Sequence, residues 1–212
     1  MPEIRTITLN TALDYLINLD ELTPGGLHKS ESAVLTPAGK GINVARTLVS
    51  LGESVYLTGF IGEENRDAFD YLGSASVRHE FIPVAGRTRI NVTFHEKNFD
   101  RTTHIRNPGY SVNEQHIELL KNQLADTLSR GDYIILSGSL PPGAPDNLYA
   151  ELIQLVHDGG GIAVLDSSGA ALSEGISAQP DIIAPNATEL SKLIDRELQT
   201  EQEIRDAAAE IA

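Results

Sequence analysis

Tyr133-Ile134-Ile135-Leu136-Ser137-Gly138-Ser139-Leu140-Pro141-Pro142-Gly143 is the stretch on which the fold turns. Its first four residues are an apolar run too short for a helix, and the glycine and Pro-Pro-Gly that follow end it. A buried strand feeding a rigid turn is predicted. Downstream, Asp146–Val156 reads as a helix, and Gly159-Gly160-Gly161 leads into a strand over Ile162–Leu165. Asp181–Ala184 is a further strand and Ala187–Ile194 a helix. Thr200-Glu201-Gln202-Glu203 opens a last helix, read as running to Ala212. Strands alternating with helices give right-handed βαβ units and a parallel sheet covered on both faces.

Upstream, Ile4–Leu9 and Val55–Phe60 read as strands of the same sheet. Gly41–Leu51 carries Ile42, Ala45, Leu48 and Val49 on one helical face, with Gly52 as its stop. A shorter helix covers Arg66–Leu72. Ser111-Val112-Asn113-Glu114 reads as a capping box that opens a helix to about Ser129. Two clusters break the rhythm. Asp14–Leu35 holds Tyr15, Ile17 and Leu19 at period two, then the turn Pro24-Gly25-Gly26. Residues 79–106 hold strands at Phe81–Val84, Ile90–Glu96 and Thr102–Arg106, with a hairpin turn at Lys97-Asn98-Phe99-Asp100. Both clusters are expected to form a small separate sheet inserted into the α/β core.

Composition limits the function. With 16 Lys+Arg against 30 Asp+Glu, the formal net charge is −14, a field that repels nucleic acid and anionic lipid. The expectation is no nucleic-acid partner and no membrane. There is no cysteine, which excludes disulfides, thiolate chemistry and Cys-ligated metals. No apolar run approaches membrane-spanning length, and Met1–Arg5 lacks a signal-peptide core, so a cytoplasmic protein is expected. The 212 residues suit one α/β domain.

Several motifs sit where such a fold binds ligands. Pro37-Ala38-Gly39-Lys40-Gly41-Ile42-Asn43 joins an extended segment to a helix; free N–H groups, the helix dipole and Lys40 make an anion site. It is not a Walker A loop, because Leu35 stands where the first Gly belongs and Gly41 where Ser or Thr should follow the Lys. A glycine-rich turn with a solvated Lys fits the same residues. Ser139 follows a strand, at the carboxyl edge where open α/β sheets bind ligands, although the same stretch is also a rigid turn. Arg89 and Asn91 share one face of a strand in Arg87-Thr88-Arg89-Ile90-Asn91; a guanidinium clamps phosphate well, and an exposed strand also tolerates one. Asp14, in a loop after the first strand, could accept sugar hydroxyls. Asn186-Ala187-Thr188-Glu189 fits a polar pair near a nucleotide and its metal, and fits a helix capping box equally well. The six histidines lack zinc spacing and are read as surface or packing residues.

In order, TLNTALD (Thr8–Asp14), AGKGINVAR (Ala38–Arg46), GFIG (Gly59–Gly62), GRTRINV (Gly86–Val92), SGSLPPG (Ser137–Gly143), DSSG (Asp166–Gly169) and PNATEL (Pro185–Leu190) resemble the phosphofructokinase B family along essentially the whole chain. Within that family, the chain looks most like the 1-phosphofructokinases and tagatose-6-phosphate kinases. The resemblance implies a ribokinase-like αβα sandwich with a small β-sheet lid, the two irregular clusters supplying the lid. It implies ATP with Mg²⁺, and phosphorylation of a sugar phosphate, fructose 1-phosphate first and tagatose 6-phosphate or fructose 6-phosphate as alternatives. Asp14 and Asn43 would hold sugar hydroxyls, and Gly39 and Lys40 would line the acceptor pocket. Arg89 and Ser139 would hold the phosphate already on the sugar. Asn186 and Glu189 would face ATP, with Glu189 serving the metal indirectly. Family relatives also pair through the lid, so a homodimer is expected.

One departure stands against the resemblance. The family's C-terminal Gly-Ala-Gly-Asp motif, with its general base and anion hole, does not occur in these 212 residues. The chain is therefore expected to be the N-terminal part of one such domain, inactive by itself, with the base beyond Ala212. A sugar-phosphate-binding chain without catalysis is the alternative class.

Overall fold

The strand predicted at Tyr133 is β8 (Tyr133–Ser137) of the computed structural model, which describes residues 2–74 and 76–211. It pairs in parallel with the N-terminal strand β1 (Ile4–Thr8). On the far side of β1 lies β4 (Val55–Gly62), also parallel, and beyond it β5 (Val77–Val84). On the far side of β8 lie β9 (Ile162–Asp166) and the short β10 (Ile182–Ile183). The six-stranded order β10-β9-β8-β1-β4-β5 therefore runs outward in both directions from the β1/β8 pair. At such a reversal, connections leave on opposite sides and open a crevice at the carboxyl ends of the strands.

Helices cover the sheet: α1 (Lys40–Ser50), α2 (Glu114–Thr127), α3 (Leu148–Asp158) and α4 (Gly169–Ser177), followed by α5 (Ala187–Leu193) and α6 (Glu201–Glu210). The larger apolar cluster joins Ile7, Leu136, Ile134 and Leu165 of the sheet to Leu120, Leu152 and Val156 of the helices. A second cluster packs Ile42 and Ala45 of α1 on Val55, Leu57 and Phe69. This is the face predicted for that helix.

A second sheet holds β3 (Ser32–Ala38), β2 (Ala12–Leu19), β6 (Arg89–Glu96) and β7 (Arg101–Ile105), in that order. β2 and β6 are parallel; the outer pairs are antiparallel. Asp14 opposes Asn91, and Thr93 opposes His104, so these polar residues share one face. Glu96 pins the far end, accepting both arms of Arg101 (2.7 and 2.8 Å) and the Leu22 N–H (2.9 Å).

Six local expectations change. Phe81–Val84 lies in β5, an edge strand of the main sheet, so the lid takes only residues 89–105 of its second cluster. Its polar half, Arg78-His79-Glu80, resembles a lid strand because only one face is covered there. Asp14 lies inside β2 rather than in a loop. The cap of α2 is Asn113 with His116, not Ser111 with Glu114: Asn113 Oδ1 accepts the His116 N–H and His116 Nδ1 accepts the Asn113 N–H, both at 3.1 Å. The short helix expected from Arg66 begins at Glu63 and is a kinked 3₁₀ helix running to Leu72. Helix α4 went unread, since Gly169 and Gly175 depress its propensity. Finally, α6 stops at Glu210 with Ile211 as its C-cap, and Ala212 falls outside the described residues.

Candidate functional site

A cleft of about 430 Å³ opens at the β1/β8 crevice beneath the polar face of the lid. Asp14, Gly39, Lys40, Asn43, Arg89 and Ser139 all line it. Residues separated by up to 125 positions in the chain thus meet in one place, and each is held there by identifiable bonds.

The loop after β1 and the turn after β8 are tied across the crevice. Asn10 Nδ2 donates to Ser139 Oγ (3.1 Å) and to the Leu140 carbonyl (3.2 Å). The Gly138 carbonyl accepts from Tyr149 Oη (3.0 Å) and Ser167 Oγ (2.9 Å), while the Gly138 N–H donates to the Asp166 carbonyl (2.8 Å). Ser139 is therefore presented on a turn fixed at three points. Burial pushes the Tyr149 phenol well above its ordinary pKa, which keeps it a donor.

Helix α1 begins at the cleft. Gly39 precedes it at φ 136°, and no side chain caps it, so its first N–H groups have no side-chain partner among the described residues. Helix and strand approach so closely that a Cβ at Gly41 would stand 2.4 Å from Thr8 Oγ1. Lys40 reaches across to Asp166 at the end of β9, Nζ to Oδ1 at 2.9 Å. Asn43 lines the cleft one turn further along α1.

The lid supplies the other wall. Asn91 Nδ2 donates to Asp14 Oδ1 (2.9 Å), which leaves the second Asp14 oxygen for a ligand hydroxyl. Arg89 donates from Nε to the Thr11 carbonyl (3.3 Å) and from one terminal nitrogen to the Asn10 carbonyl (3.0 Å). Desolvation holds its guanidinium below the ordinary arginine value, with Tyr110 and Asp14 opposing that shift and Arg106 adding to it. Beneath it, Tyr110 Oη lies 2.8 Å from the Phe60 carbonyl and 3.0 Å from that of Leu9, and accepts the Thr11 N–H at 3.1 Å.

Motif reading missed part of this site. Asp166 was quoted in DSSG but given no role. Asn10 lies inside the quoted TLNTALD segment and was likewise given no role, whereas Thr93, His104 and Arg106 line the cleft outside any quoted segment. Thr8, 2% exposed, lines it too; its buried hydroxyl has no hydrogen-bond partner among the described residues, and neither has Asn91 Oδ1. His104 is exposed, in line with the surface reading of the histidines, and its Nδ1 lies 3.0 Å from Thr93 Oγ1.

Asn186 and Glu189 lie apart from this cleft. They line a second cavity of about 780 Å³ between α4 and α5, with Ser173 and Lys192. Their capping box is formed: Asn186 Oδ1 accepts the Glu189 N–H and Glu189 Oε2 accepts the Asn186 N–H, each at 2.9 Å. Asn186 Nδ2 and Glu189 Oε1 remain for a ligand. Ser168 lines both cavities, so the two adjoin. No cluster of three or more His, Asp or Glu suited to a metal occurs among the described residues. Nor is any described helix long and apolar enough to cross a membrane.

The chain is 38% identical over 211 residues to a 1-phosphofructokinase of Vibrio cholerae, covering 99% of this chain and 66% of the relative. It is 36% identical over 213 residues to a 1-phosphofructokinase of Haemophilus influenzae, covering 100% and 67%. It thus spans about two thirds of the length of these curated relatives. Among solved structures, phosphofructokinase-2 of Escherichia coli in complex with fructose-6-phosphate superposes with TM-score 0.89 at 30% identity, over 100% of this chain and 70% of that one. The ribokinase of Arabidopsis thaliana, complexed with ribose and ATP, shares the fold: TM-score 0.71 at 20% identity, over 99% and 68%. The profile of the pfkB family carbohydrate kinases matches residues 7–212, and the chain belongs to that family.

Proposed function

We propose that the protein transfers the γ-phosphoryl group of ATP to fructose 1-phosphate, giving fructose 1,6-bisphosphate and ADP, and that these 212 residues form its acceptor side and part of its ATP side. The observation that carries this is the convergence of Lys40, Arg89, Ser139, Asp14 and Asn43 on one cleft at the strand reversal. In this reading Asp14 and Asn43 hold sugar hydroxyls. Arg89 and Ser139 hold the phosphate already on the sugar. The attacking 6-hydroxyl oxygen forms a bond to the γ-phosphorus as the bond to the β–γ bridging oxygen breaks.

The hydroxyl proton needs a base. Asp14 is engaged by Asn91 and Asp166 by Lys40, so both carboxylates near the cleft are already positioned for other partners. The reading places the base outside these residues. The cavity at Asn186 and Glu189 is the ATP side, adjoining the acceptor cleft at Ser168. Magnesium fits there through phosphate oxygens and water, with Glu189 Oε1 as an indirect partner, because Mg²⁺ is commonly held by one or two carboxylates plus substrate phosphates. When bound it would neutralise phosphate charge.

The likeness to a phosphofructokinase-2 bound to fructose-6-phosphate favours fructose 6-phosphate as a second reading. Homodimerisation through the lid belongs to the proposal, supported by Leu16, Val34, Leu35 and Ile105, all exposed on that sheet. A cytoplasmic location is also proposed. The test is calorimetric titration of the 212-residue chain with fructose 1-phosphate, fructose 6-phosphate and tagatose 6-phosphate, with a coupled ADP assay. The expected result is sugar-phosphate binding without turnover, weakened roughly tenfold or more by Lys40→Ala or Arg89→Ala, each of which removes a charge-assisted contact. Preference for a nucleoside or an unphosphorylated sugar would overturn it.

A further inference from the structure

The segment Gly59–Gly62 closes β4 at the root of the lid, and none of its residues lines the acceptor cleft. Beyond Gly62 the chain turns into the 3₁₀ helix, where Asn65 breaks the helical geometry at φ −135° and ψ 26°. At this break its side-chain amide meets Thr88. Asn65 Oδ1 accepts the Thr88 N–H (2.9 Å), and Asn65 Nδ2 donates to the Thr88 carbonyl (3.0 Å). The Gly62 N–H adds a third bond, to Thr88 Oγ1 (2.8 Å). A Cβ at Gly62 would stand 2.2 Å from the Thr88 nitrogen, so only glycine lets the two segments meet. The turn is itself anchored: Phe69 of the same helix is buried and packs edge-on against Phe81 of β5.

Thr88 is the last residue before β6 and is 1% exposed. From Arg89 onward, β6 is held against β2 over eight pairs, from Ala12 with Arg89 to Leu19 with Glu96. Thr88 lies outside that ladder, yet its buried N–H and carbonyl need partners. The Asn65 amide supplies both, as a neighbouring peptide would. Asp14 meets Asn91 two pairs further into the ladder, so their bond does not depend on this clasp. Arg89 does. Its backbone follows Thr88 directly, while its head is tied at the other end to the Thr11 and Asn10 carbonyls. We infer that Asn65 is a positioning residue for Arg89, and that through Arg89 it sets how strongly the cleft prefers a phosphorylated sugar to the same sugar without phosphate. This rests on the sugar-phosphate reading above. Asn65 does not line the cleft; it fixes the root of a long side chain whose tip must meet a phosphate.

The experiment measures fructose 1-phosphate binding by calorimetry and fructose binding by ligand-observed NMR. The proteins are the wild-type chain, Asn65→Ala, Asn65→Asp, Arg89→Gln, and Arg89→Gln combined with each Asn65 change. Asn65→Ala is expected to weaken fructose 1-phosphate about tenfold and fructose by no more than about twofold. In the Arg89→Gln background the same change should cost no more than about twofold, since the effect runs through the guanidinium. Asn65→Asp keeps the shape and the bond from the Thr88 N–H, but sets a carboxylate oxygen against the Thr88 carbonyl. Protonation restores a donor there, so the affinity of this variant relative to wild type should recover as pH falls from about 7 to about 5. A residue that merely supported the lid would lose fructose and its phosphate alike and would add its loss to that of Arg89→Gln. Either result overturns the assignment, as does unaltered affinity in Asn65→Ala or an acid-insensitive loss in Asn65→Asp. In each of those cases a loss in Arg89→Gln confined to the phosphorylated sugar leaves the sugar-phosphate reading standing. If Asn65→Ala does not fold, Asn65→Asp carries the same comparisons. Failure of the wild-type chain to bind any sugar phosphate removes both.

Discussion

Replacing Tyr110 by Phe should destabilise the protein by roughly 2–4 kcal/mol without changing its packing volume appreciably. The hydroxyl is the hub of the bonds that fix the loop after β1. Oη accepts the Thr11 N–H at 3.1 Å and lies within donating range of the Phe60 and Leu9 carbonyls at 2.8 and 3.0 Å. Thr11 is fully buried and Tyr110 is 4% exposed, so water has poor access to replace it. Phe60 O keeps a partner, because Thr11 Oγ1 also donates to it at 2.7 Å. The Thr11 N–H has no substitute. An orphaned buried donor costs about 1–3 kcal/mol, and the donated bond about 1 kcal/mol more. In a chain of this length that corresponds to a melting-point drop of roughly 4–16 °C. The assay is urea unfolding followed by circular dichroism, in which the midpoint should fall and the slope stay constant. Sugar-phosphate affinity should fall with it, because the Asn10 and Thr11 carbonyls that orient Arg89 sit on the same loop. A variant within about 0.5 kcal/mol of wild type, an effect ordinary for an unimportant surface change, would show that the loop is held by something else.

Gly41→Ala should lower sugar-phosphate affinity about tenfold or more, since the new Cβ would meet Thr8 Oγ1 at 2.4 Å and push the first turn of α1 off the cleft; unchanged binding would show that the turn does not position the ligand. Stability should decline as pH rises from about 10 through about 12, at roughly 1.4 kcal/mol per pH unit for Tyr110 alone. Its phenol is raised to about 12 by burial, so the folded state keeps a proton that the unfolded state gives up near 10; Tyr56, raised to about 12 by burial and then by Glu80, acts in the same direction. Spectrophotometric titration checks it, and phenols that ionise near 10 in the folded protein would contradict it. Glu96→Gln should loosen the lid at neutral pH: the carboxyl is lowered to about 2, first by its bonds from Arg101 and then by the Leu22 N–H, so its contribution is complete above the unfolded value and lost as pH falls through about 2. Hydrogen exchange of the β6–β7 hairpin should show the variant and wild type converging at the acid end, and a constant difference would refute the assignment.

The main sheet was legible from periodicity because its strands are short apolar runs stopped by glycine and proline, as at Tyr133–Gly143. Its edge was not. Arg78-His79-Glu80 alternates like a solvated strand, and only the register Val55 to Val77 through Gly62 to Val84 places it beside β4. The lid was legible as a break in rhythm, yet not its parallel β2–β6 pair, which joins segments about 75 residues apart and has no local signal. Asp14, Gly39, Lys40, Asn43, Arg89 and Ser139 were found inside family segments, although Thr8, Asn10 and Asp166 of the same segments were given no role. Those on the polar lid face and its exit, Thr93, His104 and Arg106, were not found, since a polar residue on a strand reads as solvent-facing until something is seen to lie opposite. At α2 the sequence reading took Ser111 with Glu114 as the cap and passed over Asn113 with His116, because a capping box is sought as a carboxylate or amide three residues on, whereas here a histidine ring nitrogen accepts the returning N–H.

An acidic chain that gathers cations in one cleft must keep them from destabilising it before a ligand arrives. At −14, the overall field repels a dianion, but screening confines that repulsion to about 8 Å at physiological salt, so the nearest groups decide what happens inside the cleft. Lys40 is held by Asp166, and Arg89 by two carbonyls with the Asp14 charge nearby. These restraints differ in strength. The Lys40–Asp166 pair is half exposed at the lysine, and such pairs contribute about 0–1 kcal/mol. Its rupture therefore costs little, and Lys40 is free to follow whichever anion develops the greater charge nearby. Arg89 would have to abandon two backbone acceptors to move, so it serves as a fixed reference point for the ligand. A site with one immobile cation and one that exchanges partners easily suits a reaction in which one phosphate must stay still while charge shifts on another.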